Sequence, residues 1–120
     1  MFINCSNHKS IDWSAEQKSA AKAYGEIVDV GFPTVAASSS EAEVSEMADG
    51  LFEKIKSYSP ACVMCQGEFT LTYSLVKKLL DANIKTVAAC SEREVEEIKL
   101  EDGSTQKKVI FRFVGFREYR

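Results

Sequence analysis

Five consecutive apolar residues, Ala61-Cys62-Val63-Met64-Cys65, stand between Pro60 and the polar pair Gln66-Gly67. A run this short, apolar at every residue and bounded by turn signals, fits a central strand covered on both faces. Such a strand belongs to a parallel sheet with helices on each side. The question is whether the rest of the chain supplies the matching pieces.

It does, in alternation. Phe2-Ile3-Asn4-Cys5 reads as a first strand ending in the polar cluster Ser6-Asn7-His8-Lys9-Ser10. From Trp13 to Gly25, helical spacing places Trp13, Gln17, Ala20, Ala21 and Tyr24 near one face. Ser14 and Gln17 form a capping-box pattern at its start, and Gly25 is a stop. Glu26 to Phe32 is a second strand that Pro33 ends, and one of Ser38, Ser39 and Ser40 caps the next helix. That helix, 41–58, carries Val44, Met47, Ala48, Leu51, Phe52 and Ile55 at three- and four-residue intervals. A third helix, 70–82, places Leu71, Leu75, Val76, Leu79 and Leu80 on its apolar side. Residues 85–90 are a fourth short strand, followed by a Ser91-Glu92-Arg93 loop. The tail differs in kind: 95–100 and 107–116 alternate apolar and polar residues about the turn Glu101-Asp102-Gly103-Ser104, the pattern of a β-hairpin.

The predicted fold is therefore α/β: a small Rossmann-like three-layer domain, four parallel strands in the order 2-1-3-4 and a C-terminal β-hairpin. Residues 1–120 form one domain, since no repeat or low-complexity linker divides them. Phe111, Phe113 and Phe116 give the hairpin apolar surface to bury, which points to a two-fold symmetric dimer.

Composition narrows the function. The net charge of −3 gives no basic face for long nucleic acid. No apolar run approaches the ~20 residues of a membrane span, and the opening residues carry no secretory pattern, so a cytoplasmic location is expected. Cys62 and Cys65 match C-x-x-C, yet residues three apart on a strand point to opposite faces, and His8 is the only histidine. The four cysteines are therefore expected to be reduced and metal-free, and no cofactor is implied.

In the order 2-1-3-4 the crossover direction reverses between the first and third strands, and ligands bind outside the carboxyl ends at such a switch. The loops meeting there are Ser6–Ser10 and Gln66–Thr70, with Ser91–Arg93 beside them. Their chemistry suits a small anion. Gly67 admits a ligand to the backbone, Thr70 and Thr72 open a helix whose free N–H groups attract phosphate, and Arg93 can grip one with two donors. Ser6, Asn7, Gln66 and Ser91 are further polar candidates. Glu68 opposes a crowd of phosphates, and neither G-x-G-x-x-G nor Walker A is present.

Phe2-Ile3-Asn4-Cys5-Ser6-Asn7-His8, together with Gly25-Glu26-Ile27-Val28-Asp29, Gln66-Gly67-Glu68-Phe69-Thr70 and Phe113-Val114-Gly115-Phe116-Arg117-Glu118-Tyr119, resemble the small single-domain Csx-type proteins associated with type III CRISPR loci, relatives of the CARF sensor domains. Several of these are ring nucleases. The resemblance covers nearly the whole chain and implies a CARF-like homodimer. Two copies of the switch-point edge would enclose a cyclic oligoadenylate and cleave it without metal to products with a 2′,3′-cyclic phosphate. His8 would then act as general acid or base, and Lys9 or Arg93 would stabilise the phosphorane. Glu68 and the scarcity of basic residues depart from that pattern. A non-catalytic nucleotide or second-messenger sensor, or a protein-interaction domain of the same fold, stands beside this reading.

Overall fold

The computed structural model describes residues 1–120. Strands β1 (Phe2–Ser6), β2 (Ile27–Asp29), β3 (Cys62–Gln66), β4 (Thr86–Lys99) and β5 (Thr105–Glu118) form one sheet in the order β2-β1-β3-β4-β5. The β1–β2, β1–β3 and β3–β4 pairings are parallel, and β4–β5 is antiparallel. The chain is thus a mixed α/β fold on a five-stranded sheet, with the expected order across its parallel part.

Helices cover both faces. On β1, Phe2 faces one core and Ile3 and Cys5 the other; on β3, Cys62 and Met64 oppose Val63 and Cys65. The larger core packs under α2 (Glu41–Lys56) and α3 (Phe69–Asp81), which contribute Val44, Ala48, Ile55, Leu71, Leu75 and Leu79. The smaller lies under α1 (Ala15–Lys22) and gathers Phe2, Trp13, Ala21 and Val87. Phe2 is its centre, with the rings of Trp13, Tyr24 and Phe116 within 6.1 Å of its own.

Caps set the helix starts. Ser14 accepts a hydrogen bond from the N–H of Gln17 at 3.2 Å, and Ser40 and Glu43 make a reciprocal capping box. α3 begins one residue earlier than its apolar spacing suggests because Glu68, rather than a hydroxyl residue, is its N-cap. β2 is shorter than its β-branched run: the ladder stops at Asp29, although the Val30 N–H still reaches the Asn4 carbonyl and Phe32 remains buried.

The largest departure concerns residues 86–118. No loop separates a fourth strand from a hairpin. Ser91, Glu92 and Arg93 pair with Phe113, Arg112 and Phe111, so β4 runs unbroken to Lys99 and β5 returns along its whole length. Polar residues do not stop a strand whose faces meet solvent. Cys90 pairs with Gly115 and Ser91 with Phe113, which leaves Val114 as the extra residue of a β-bulge. The extra residue turns Phe113 and Phe111 onto the same face as Phe116. The turn forms as expected: Gly103 takes φ +86°, and the Asp102 carboxylate accepts the Ser104 N–H at 2.9 Å. Beyond the bulge the two strands leave the body as an arm. The radius of gyration is 17.2 Å, against roughly 13.6 Å for a globule of this length.

Candidate functional site

The loop after β1 is built on Asn4. This side chain is buried, and an amide buried without partners is costly, so its bonds fix what surrounds it. Its Nδ2 donates to the His8 carbonyl at 2.8 Å and to Asp29 Oδ1 at 2.9 Å, while its Oδ1 accepts from the Ser6 hydroxyl at 2.6 Å. Ser6 Oγ in turn accepts the His8 N–H at 3.3 Å, and Asp29 accepts the N–H of Ser10 with both carboxylate oxygens. Three strand-end residues thereby hold Ser6–Ser10 in one shape.

Beside this loop lies a groove of about 660 Å³. Ser6, Asn7 and His8 line it from β1, Gln66 and Gly67 from β3, and Ser91 from β4. Of the residues expected at the switch point, these six meet, with Ser91 supplied by a strand in place of the expected loop. Lys9, Glu68, Thr70, Thr72 and Arg93 lie outside the lining.

Three of the reasons for expecting those roles change with the coordinates. Gly67 is small for the sake of packing: a Cβ there would stand 2.4 Å from the Phe32 ring. The N-terminus of α3 is not free. The Glu68 carboxylate accepts the N–H groups of Thr70 and Leu71 at 2.9 Å each, and the Thr72 N–H goes to the Glu68 carbonyl. The Thr70 hydroxyl also donates to Glu68, and these bonds hold the Glu68 carboxyl below its usual range. An internal carboxylate occupies the place proposed for a phosphate. Thr72 keeps a buried hydroxyl without a partner. Arg93 projects from the arm beside Phe111, two residues beyond Ser91.

Gln66 is committed at one end only. Its Oε1 accepts the Ala89 N–H at 2.6 Å, which extends the β3–β4 ladder and presents the amide to the groove. The chain belongs to the Uncharacterized protein MJ1673 family, whose family model matches residues 1–117. That span takes in the parallel core, the groove and the arm. No curated protein and no solved structure matches the chain.

The other groove wall was not legible as such. Asp12, Trp13, Ser14 and Gln17 contribute from the start of α1, Met64 and Ala89 from the floor, and Phe111 and Phe113 from β5. Trp13 was readable only as a core residue of α1; its position at the carboxyl edge, just after a 3-10 turn (Ser10–Asp12) and before the helix, makes it a wall as well. The result is an apolar floor of Met64 and Ala89 flanked by polar loops and aromatic walls. Its charged or titratable side chains are Asp12 and His8, with no lysine or arginine.

The cysteines stand apart from the groove. Cys62 and Cys65 are buried in opposite cores, too far around the strand to act on one ion. No cluster of three or more histidine, cysteine or acidic side chains is placed to hold a metal. Burial pushes the Cys62 thiol up to about 11. Cys65 pairs in register with Cys5 on β1, and their hydrogen bond together with burial pushes the Cys65 thiol up further.

Proposed function

We propose that the groove binds a nucleotide as cyclic oligoadenylate, and that the chain is a ring nuclease on a Rossmann-like, CARF-like fold acting in the cytoplasm as part of CRISPR-associated defence. One observation carries the reading: the polar loops after β1 and β3 converge on a groove walled by Trp13 and Phe113. Flat aromatic walls suit a purine, and the Gln66 and Asn7 amides suit its edge or a ribose. The groove sits where the crossover direction reverses, the usual place for a ligand on such a sheet.

Cleavage would follow from position. The ribose 2′-oxygen attacks the adjacent phosphorus, the bond to the 5′-oxygen breaks, and a 2′,3′-cyclic phosphate and a 5′-hydroxyl remain. His8 would take the 2′-hydroxyl proton or return one to the leaving oxygen, and Lys9, next in the loop though outside the lining, would turn in to steady the phosphorane. Arg93 lies beyond the lining and is not needed for these steps.

A second reading, binding without cleavage, is favoured by the absence of any cationic side chain from the lining. Cyclic oligoadenylates of different ring size, screened by thermal shift and then by product analysis, test both. His8→Ala is expected to keep binding and slow cleavage by ~10²–10⁴-fold. Wild-type binding without products leaves the sensor reading. No binding at any ring size removes both.

A further inference from the structure

We infer that one face of the β4–β5 arm is the interface between two copies of this chain, and that the second copy's Lys99 completes the groove. The interface rests on the arm alone; the role given to Lys99 rests on the nucleotide reading above.

The arm's two faces differ. Directly paired residues share a face. One face carries Glu92 with Arg112, Glu94 with Ile110 and Glu96 with Lys108, and Arg112 also reaches Glu94 at 3.1 Å. This face is mainly charged, with Ile110 and, toward the tip, Ile98 opposite Gln106 as its apolar members. The other carries Arg93 with Phe111, Val95 with Val109, and Glu97 with Lys107. Here Phe111 is 69%, Val95 50% and Val109 45% exposed. A two-stranded ribbon is marginal in water by itself, and this one carries its apolar stripe from the groove wall at Phe111 outward to Val95 and Val109.

The stripe is self-complementary. Consider a two-fold axis that crosses the strands at the Val95–Val109 pair and lets the two arms lie face to face. Residues equally far on either side of that pair then meet across the axis. Arg93 of one copy meets Glu97 of the other, and Phe111 meets Lys107, a cation over a ring. The valines meet at the centre. Each contact occurs twice, as an isologous interface requires. The two bodies then lie at opposite ends of the paired arms. An unrelated partner would need to match this pattern; a second copy matches it by symmetry.

The same register carries further. Lys99 lies four residues from Val95 on the tip side, and Ser91 lies four residues from it on the groove side. Lys99 of each copy therefore comes over Ser91 of the other, at the mouth of a groove that has no cation of its own. Phosphate would be held by the pair of copies, not by one.

Light scattering at about 100 µM is expected to give twice the 13.3 kDa chain mass. Val95→Asp with Val109→Asp should give the chain mass with an unchanged far-ultraviolet circular dichroism spectrum. Arg93→Glu should weaken association on the order of tenfold, because it sets two carboxylates together twice, and adding Glu97→Arg should restore it. Ser91→Cys with Lys99→Cys, in a Cys90→Ser background, should form disulfide-linked dimers on oxidation. Within one chain those positions lie roughly 26 Å apart along β4, so the link must join two copies. A monomeric wild type, a dimer that survives both aspartates, or a charge swap without rescue overturns the interface. Failure to cross-link overturns the register and with it the role of Lys99. None of these readouts involves a nucleotide, so they stand or fall apart from the proposed function. Lys99→Ala should weaken cyclic oligoadenylate binding at least tenfold while the mass stays doubled; unchanged affinity overturns the Lys99 role.

Discussion

Gly67→Ala tests why the loop after β3 has its shape. The new Cβ would lie 2.4 to 2.6 Å from three atoms of the Phe32 ring, more than 1 Å inside ordinary contact. Phe32 is 8% exposed and belongs to the larger core, so its ring cannot simply swing into solvent. Overpacking of this kind costs about 1–3 kcal/mol. Alanine returns about 0.4–1 kcal/mol by restricting the unfolded chain, because the backbone at Gly67 is not in the left-handed region. The net loss is about 1–2 kcal/mol. Unfolding entropy scales with length, so 1 kcal/mol is about 4 °C for a chain of this size, and a fall of about 4–8 °C in Tm is expected. A double-mutant cycle isolates the cause. In a Phe32→Leu background the space opens, and Gly67→Ala should become neutral or stabilising. An equal loss in both backgrounds would refute the packing argument and return Gly67 to a backbone or ligand role.

Three further outcomes follow from the same contacts. Glu68→Gln should lower Tm at neutral pH. The native carboxyl lies below its usual 4.5, so its contribution is present above that value and fades as pH falls through the native pKa; melts of variant and wild type should converge in strong acid. Asn4→Ala removes three hydrogen bonds and should cost about 2–3 kcal/mol, read as a lower Tm and as faster amide exchange at His8. A thiol reagent should modify one cysteine of the native protein promptly, the half-buried Cys90, and reach Cys5, Cys62 and Cys65 only on unfolding.

What the sequence determined by itself was set by short-range pattern. The apolar run at 61–65, the three- and four-residue spacing of α2 and α3 and the Asp102-Gly103 turn are each complete within one element, since burial on a strand or helix repeats every two or every 3.6 residues. From these the sheet order and the edge holding Ser6, His8 and Gln66 could be reasoned. Glu68 could not be read as a cap: glutamate is a poor N-cap by preference, and only its bonds to Thr70 and Leu71 show that it has displaced the expected hydroxyl. Nor could β4 be read as one strand, because its continuity past Cys90 depends on β5, whose partners lie up to 31 residues away between Val87 and Glu118. The bulge at Val114 decides which face Phe111 and Phe113 take, and that parity comes from pairing across the arm and not from alternation along it. The aromatic wall of the groove and the apolar stripe of the arm both depend on that one unpaired residue. Local pattern says which residues are to be buried; only the long-range register says against what.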